Sequence, residues 1–254
     1  MIEIIILGII QGITEFLPIS SSGHLVIIKD ILGLDSGNDI VLEVVLHFGT
    51  LLSILIYYRT EIKELLQGVV KKNRESIDYC KFIALSMLPI IIFVLFFEDS
   101  VVSSFNVEIL PMTYLVTAII LFLTKFHHGT GIQLSYKLVL IIGFSQIFAV
   151  FPGISRVGIT ISTAMLMGYE QKEAAKFSFF MAIPILLGAV ILKIGEINSE
   201  LFLNGPNLLI GMLVSMSTGI VFLSLLINII SRQKLWIFSI YCLILCVYCF
   251  YGSL

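Results

Sequence analysis

Long apolar runs constrain the fold of this chain more than any other feature of its sequence. Six of them are each about long enough to cross a ~30 Å hydrocarbon core as a helix, some with help from flanking residues. They cover residues 40–58, 82–97, 111–123, 177–194, 208–230 and 235–251. Charged residues make up only 13% of the chain, about half the share in a soluble protein. The sequence therefore predicts an all-α polytopic membrane protein whose solvent is the bilayer.

Two further apolar regions, residues 2–32 and 138–167, are interrupted in the middle by proline, glycine and serine. Such interruptions are typical of broken or re-entrant helix pairs, because irregular backbone at membrane depth must be buried in protein or face water. The first region begins with acidic Glu3 and has no cleavage-site pattern, so we expect mature structure there and not a signal peptide. We expect a single integral membrane domain over residues 1–254.

The two interrupted regions form an internal repeat. A Gly-x-x-Gln pattern recurs at a spacing of 135 residues and a Pro-x-x-Ser pattern at 134. The matched residues are Gly8 and Gln11 with Gly143 and Gln146, and Pro18 and Ser21 with Pro152 and Ser155. Each half, about 1–130 and 131–254, has one broken helix pair followed by three spans, and an odd number of spans inverts the second half. The interruptions of the two regions, called the first and the second break below, are therefore expected to enter the membrane from opposite faces and to meet inside it.

The distribution of lysine and arginine predicts the orientation. The loops expected on one face carry 12 of these residues, six of them in the loop expected after the first span, within residues 59–81, and the loops on the other face carry 2. The basic face is normally cytoplasmic. The two outer residues are Lys29 and Lys193, whereas Arg156 lies inside the second break. The first break should then enter from the outer face. The formal net charge of −2 offers no basic field for nucleic acid, so we expect no such partner.

The first break carries polar groups that membrane segments rarely contain. Gln11 and Glu15 are four residues apart, so a helix places them on one face, where they can hold a cation or a polar ligand. A second helix then opens with hydroxyls and backbone N–H groups that suit phosphate, from Ser20, Ser21, Ser22, Gly23 and His24. Taken singly, the serines could be caps and His24 a core residue. Together they indicate function, because ionisable groups are costly within a membrane.

The second break contains one arginine, Arg156. A charge at the centre of a membrane helix costs about 2.5–3.5 kcal/mol on insertion scales, so an anion should compensate it. Either Glu15 or a phosphate held by the guanidinium group could do so. Ser155 and Thr160 supply hydroxyls nearby, and Gly153 and Gly158 allow a ligand to approach the backbone closely.

Two other groups of residues are left open by the sequence. Glu43 and His47 are four residues apart near the outer end of the first full span, and they could line the same cavity or face water. Cys242, Cys246 and Cys249 share one face of the last span. We expect these cysteines to pack and not to bind metal, because no histidine or carboxylate is near them in sequence.

The polar stretches resemble the motifs of the undecaprenyl-diphosphate phosphatase family of bacterial membranes, which is also named for bacitracin resistance. The resemblance covers nearly the whole chain and rests on Gln11-x-x-x-Glu15, on Pro18-Ile-Ser-Ser-Ser-Gly-His24, and on Pro152-Gly-Ile-Ser-Arg156 with Gly158 and Thr160. It implies hydrolysis of the terminal phosphate of a C55 polyprenyl diphosphate, assisted by a divalent cation, Mg²⁺ or Ca²⁺. It also implies a site open to the outer face of the cytoplasmic membrane and recycling of the cell-wall lipid carrier. The oligomeric state stays open, with a homodimer as one option.

The resemblance implies a role for each matched residue. Ser21 or His24 would be the nucleophile or its base, Glu15 an activating or metal-binding carboxylate, and Arg156 the phosphate clamp. The other matched residues would bind substrate: Gln11, Ser20, Ser22, Gly23, Gly153, Ser155 and Thr160. The chain departs from the commoner family pattern at Gln11, where Glu is frequent, and at Val157, where Ser is usual. The first departure excludes a metal held by two carboxylates of that motif.

A second class of function fits the same pattern. Secondary transporters use inverted repeats with broken helices, and a flippase could bind a phosphorylated lipid through the same serines and arginine without cleaving it. A carboxylate beside an anion site adds nothing to pure binding, but it can activate a nucleophile. The grouping of Glu15, Ser21 and His24 therefore favours an enzyme.

Overall fold

The fold is all-helical in a computed structural model that describes residues 1–32, 40–103, 106–127, 130–232 and 234–252, apart from the side chains at 32, 40, 98–103 and 194–204. The α-helices are α1 (Ile2–Thr14), α2 (Ser21–Leu32), α3 (Ile40–Tyr57), α4 (Arg59–Val70), α5 (Arg74–Ser103), α6 (Leu110–Leu123), α7 (Tyr136–Ile147), α8 (Arg156–Leu166), α9 (Gln171–Leu192), α10 (Ile194–Ser231) and α11 (Phe238–Gly252). Within these ranges, β-structure is limited to an isolated bridge between Ile132 and Tyr169. The predicted all-α class is confirmed.

Four helices of the described chain are long and apolar enough to cross a bilayer, namely Arg74–Phe97, Gln171–Leu192, Gly205–Ser231 and Leu235–Gly252. The bent pair of α3 and α4 makes a fifth if it is counted as one span. The sequence predicted six. The difference lies in α6, whose 14 residues give about 21 Å of helix, less than the ~30 Å core requires. The chain is an integral membrane protein with several spans.

α4 is a helix where the sequence led us to expect a basic loop. It has 12 residues and no buried side chain, and it is bent by 75° from α3. Because α4 mixes charged and apolar residues, it has no continuous apolar run from which a helix could be predicted. The bend and the exposure are typical of a helix that lies along a membrane surface.

Each broken pair packs on a long helix from the other half of the chain. α1 packs along α10, and α7 packs along α5. Small residues permit the close approach: a side chain at Gly12 would collide with Ser215 and Thr218, and one at Gly143 with the backbone of Ser86. Because each broken pair packs against the other half of the chain, the two breaks lie together inside the bundle.

α6 and α11 pack against each other beside the breaks, and side chains of both helices contact them. On α6, Thr117 Oγ1 donates to Gly153 O (2.8 Å) and accepts from the Ser155 N–H (3.3 Å). On α11, Cys242 Sγ lies 3.8 Å from Pro18 O. Cys242 and Cys249 are buried in the core, which confirms the packing role expected for these cysteines.

Candidate active site

A cavity of about 310 Å³ lies between the two breaks. Apolar side chains from α5 and α9 close part of it, and the polar lining comes from α1, α2, α3 and α8. The polar residues are Thr14, Glu15, Ser20, Ser21, Ser22, Glu43, His47, Ser155 and Arg156. A few convergent polar groups within an apolar enclosure are typical of a ligand-binding or catalytic site.

Glu15 is the centre of the polar lining. It follows the last residue of α1 and is buried. Its Oε2 accepts from Ser21 Oγ (2.7 Å) and from Gln11 Nε2 (3.0 Å), while Oε1 is paired with Arg156 Nη2. His47 Nε2 lies 3.5 Å from Oε2. Side chains from α1, α2, α3 and α8 therefore converge on one carboxylate.

Arg156 begins α8 and uses only part of its guanidinium group on Glu15. Its Nη1 is buried and has no hydrogen-bond partner in the described chain. An unpaired donor on a buried charged group is costly, so such groups normally have a partner. Glu15 compensates the charge of Arg156, which is one of the two alternatives that the sequence left open. Arg156 also lines the cavity, so an anion there could pair with its guanidinium group.

A tight turn presents the serines. Ser20 has φ +67°, a left-handed conformation uncommon for residues other than glycine. Its Oγ accepts from the N–H groups of Gly23 (3.3 Å) and Gly153 (3.0 Å), and the second bond joins the two breaks directly. A side chain at Gly23 would collide with Gly153 and Tyr114. The predicted meeting of the two breaks is confirmed, and Gly23 and Gly153 permit this close approach.

His24 lies on the other side of this turn and does not line the cavity. Its Nδ1–H donates to Ser20 O (2.6 Å), which leaves Nε2 to accept from the Tyr241 hydroxyl (2.8 Å). The ring stacks on Tyr241 and meets Tyr114 edge-on. Both ring nitrogens are therefore engaged beside the turn that carries Ser21.

Other residues expected to bind substrate have structural partners. Thr160 Oγ1 donates to Arg156 O (2.7 Å) and accepts from Ser178 Oγ (2.7 Å), so it joins α8 to α9 away from the cavity. Ser155 Oγ caps α8 by accepting from the Gly158 N–H (3.1 Å), although Ser155 also lines the cavity. Gln11 is fully buried and acts on Glu15.

Comparison with known proteins identifies the family of this chain. The sequence model of the family described as bacitracin resistance protein BacA matches residues 4–248. The chain belongs to this family. A protein named undecaprenyl-diphosphatase from Christiangramia forsetii is 39% identical over 250 residues, which cover 95% of this chain and 94% of that protein. Proteins of the same name from Thermosipho africanus (38% identity, 97% and 98% covered) and Methanococcus maripaludis (37%, 94% and 95%) are similar over the same extent.

Two further residues line the cavity of this BacA-family chain. Glu43 and His47, whose position the sequence left open, both line the cavity. His47 Nδ1–H donates to Glu43 O (2.8 Å), which turns Nε2 toward Glu15. Glu43 Oε1 accepts from Lys29 Nζ (2.6 Å). The sequence counted Lys29 among the charges of the outer face, but its side chain is buried in this pair, because residue spacing alone does not show which helix a face will meet.

The carboxylates of this BacA-family site do not fit a resident divalent cation. Mg²⁺ and Ca²⁺ require several oxygen ligands. Both oxygens of Glu15 are already paired, and Glu43 is bound to Lys29. Across the described residues, no group of three or more His, Cys, Asp or Glu side chains could hold a metal ion. The metal-binding role that the sequence suggested for Glu15 therefore has no support in the donor set.

Proposed function

We propose that this chain hydrolyses the terminal phosphate of undecaprenyl diphosphate, a C55 polyprenyl diphosphate, and releases the lipid monophosphate. The observation that carries the proposal is the Ser21 hydroxyl, which donates to Glu15 Oε2 at 2.7 Å in a cavity that Arg156 also lines. The names of the curated relatives support the same activity. A site that only binds an anion gains nothing from a carboxylate that accepts from a serine hydroxyl, whereas a nucleophile requires such a base.

Ser21 is the proposed nucleophile. Its Oγ attacks the terminal phosphorus, the bond from that phosphorus to the bridging oxygen breaks, and the lipid monophosphate leaves. The proton of Ser21 passes to Glu15, its hydrogen-bond partner. Water then attacks the phosphorus of the phosphoserine, the bond from phosphorus to Ser21 Oγ breaks, and Glu15 returns the proton to Ser21 Oγ as inorganic phosphate leaves. Proton transfer along an existing hydrogen bond requires no rearrangement of either side chain.

Arg156 and His47 have complementary roles in this mechanism. The unpaired Nη1 of Arg156 would donate to oxygens of the terminal phosphate, and such charge stabilisation is the main catalytic contribution in phosphoryl transfer. His47 holds Glu15 from α3 through the 3.5 Å contact with Oε2. Gln11 holds it from α1. The base is therefore fixed in place from two helices.

An apolar cavity beside the polar one supports a lipid substrate. It measures about 210 Å³, and its lining is entirely apolar. The lining residues are Val44, Val45, Phe48, Val190, Leu208, Leu209 and Met212. Val44 lines the polar cavity as well, so the two cavities adjoin at α3. The headgroup would lie at Ser21 and Arg156, and the first isoprene units between α3, α9 and α10.

The proposal includes an inverted arrangement of the two halves in the cytoplasmic membrane, with the cavity reached from the outer face. The packing of α1 on α10 and of α7 on α5 supports the inversion. The basic residues on and after α4 support a cytoplasmic position for that helix. In this position the reaction would recycle the lipid carrier of cell-wall synthesis and confer the bacitracin resistance for which the family is named.

A divalent cation, where one takes part, is proposed to enter with the diphosphate and not to reside on Glu15. The carboxylates of the site are already paired with Ser21, Arg156 and Lys29. Calorimetric titration of the lipid-free protein with Ca²⁺ should therefore show no site tighter than about 1 mM. A micromolar site that Glu15→Gln abolishes would contradict this.

Phosphate release from undecaprenyl diphosphate by the purified protein in detergent tests the proposed reaction. Detergent removes any gradient across a membrane, so turnover reports chemistry and not transport. We expect the parent protein to release phosphate and Arg156→Ala to lose this activity while circular dichroism shows an unchanged helical content. If the folded parent binds the lipid but never cleaves it, the proposal fails and a lipid carrier becomes the better account.

A further inference from the structure

The pair of Lys29 and Glu43 is a charged feature that the proposed reaction does not use. Lys29 lies on α2, about two turns beyond Ser22, and its side chain is only 2% exposed. Its Nζ donates to Glu43 Oε1 at 2.6 Å. Glu43, on α3, is 30% exposed and lines the cavity that contains Ser21. A lysine is almost never buried so completely without a partner, so the pair as a whole requires an explanation.

Stability is a poor explanation for this pair. Burying two charges costs more than their attraction often returns, and well-packed apolar residues in the same place are frequently as stable or more so. The position of Glu43 suggests another reason. Two carboxylates, Glu15 and Glu43, line the described cavity, and a diphosphate carries several negative charges. Glu15 is matched by Arg156, so Glu43 requires a cation of its own.

We propose that Lys29 neutralises Glu43 and thereby permits a polyanionic headgroup to occupy the cavity. The inference rests on the proposed function only for the identity of that headgroup, a lipid diphosphate. Lys29 does not line the cavity, so it acts through Glu43 as a positioning and charge-matching residue and does not touch the substrate.

Removal of the ammonium group would leave the Glu43 carboxylate facing the phosphates. Repulsion between like charges near a cavity is strong where water is partly excluded, so Lys29→Met should weaken diphosphate binding by about tenfold or more. The loss should be smaller for a monophosphate and absent for a neutral alcohol with the same tail. A general loss of structure would weaken all three ligands alike.

Binding is best measured in a Ser21→Ala background with farnesyl diphosphate, farnesyl phosphate and farnesol, by calorimetry in detergent. We expect this background to release no phosphate, and measured phosphate release checks that binding is followed without the reaction. A parent protein that binds the diphosphate but releases no phosphate would end the proposed function while leaving this inference testable.

The decisive variant removes both charges. The affinity of Lys29→Met/Glu43→Gln for the diphosphate should stay within about twofold of the affinity of the background, because neither charge then remains. The matched control is Lys81→Met, which breaks the exposed pair of Lys81 and Asp78 (2.7 Å) on α5 and should have no effect on any ligand.

Two outcomes would overturn the proposal. One is an unchanged diphosphate affinity in folded Lys29→Met. The other is a double variant that binds the diphosphate as weakly as Lys29→Met. If Lys29 contacted phosphate directly, its removal would weaken binding whether or not Glu43 were charged. Should Lys29→Met fail to fold, the double variant decides alone: affinity equal to the background supports the proposal, and lost affinity contradicts it.

Discussion

At the scale of single residues, the hydrogen bonds that each side chain already makes decide its role. The sequence offered Ser21 and His24 equally as nucleophile or base. In the fold, the hydroxyl of Ser21 is bound to Glu15 inside the cavity, whereas His24 is bound to Ser20 and Tyr241 outside it. These contacts favour Ser21, with Glu15 as its base, as the proposed nucleophile, and they are the reason why we propose that His24 supports the turn.

Ser21→Ala should lower phosphate release by at least about a thousandfold, because it removes the nucleophile. His24→Ala should cost less, about tenfold to a hundredfold, because it only loosens the turn that positions Ser21. Ser162→Ala is the control, since the Ser162 hydroxyl is buried without a partner in the described chain and should be dispensable. Initial rates in detergent measure all three. Full activity in Ser21→Ala beside an inactive, folded His24→Ala would make the histidine the nucleophile.

Arg156→Lys should retain a positive charge and still lose roughly a hundredfold in kcat. The guanidinium group pairs with Glu15 through one nitrogen and leaves another for phosphate, and a single ammonium group cannot reproduce that fork. Arg232→Lys, at the exposed residue that follows the end of α10, should leave kcat unchanged. Comparable kcat in the parent and in Arg156→Lys would show that charge alone is sufficient at this position.

At the scale of helices, close packing between the two halves fixes where the site lies. α1 carries Gln11 and ends beside Glu15, so its seating on α10 determines the position of the base. Gly12 faces the backbone of Ser215 and the side chain of Thr218 on α10, with no room for a Cβ. Small residues at such contacts let membrane helices approach closely.

Gly12→Ala should therefore lower the stability of the folded protein by about 1–3 kcal/mol, the usual cost of overpacking. The measurement is thermal unfolding in detergent, followed by circular dichroism. Gly188→Ala on α9 is the matched control, because a Cβ there has no atom within 4 Å. It should be neutral or slightly stabilising, since alanine favours a helix more than glycine does. Equal melting temperatures for the two variants would contradict the packing argument.

The helices themselves were largely predictable, and the exceptions have physical causes. Apolar runs indicated α3, α5, α9, α10 and α11, and the Pro-Gly-Ser interruptions indicated the two broken pairs. α4 was missed because a helix at a surface has no continuous apolar run. α6 was predicted as a span over residues 111–123 with help from flanking residues, but the helix extends only from Leu110 to Leu123. Hydropathy reports apolar composition and does not show how far a helix continues beyond an apolar run.

At the scale of the whole molecule, the site exists only because residues far apart in sequence meet. Arg156 and Glu15 are separated by 141 positions, and Lys29 reaches Glu43 on another helix. Motif spacing identified both polar stretches, and the internal repeat predicted that they would meet. Neither the motif spacing nor the repeat could place Lys29 or His47 relative to the cavity, because their positions depend on which faces of α2 and α3 turn toward it.

The two adjoining cavities lead to a test of substrate class that involves the whole bundle. Val190→Phe places a ring in the apolar cavity between α3, α9 and α10, so it should raise KM for undecaprenyl diphosphate about tenfold with little change in kcat. Inhibition by inorganic pyrophosphate, which has a headgroup and no tail, should stay the same. Val247→Phe, at an exposed position on α11, is the control and should change neither. If Val190→Phe weakens pyrophosphate inhibition as much as it raises KM, the ring disturbs the polar site and the apolar cavity does not hold the prenyl chain.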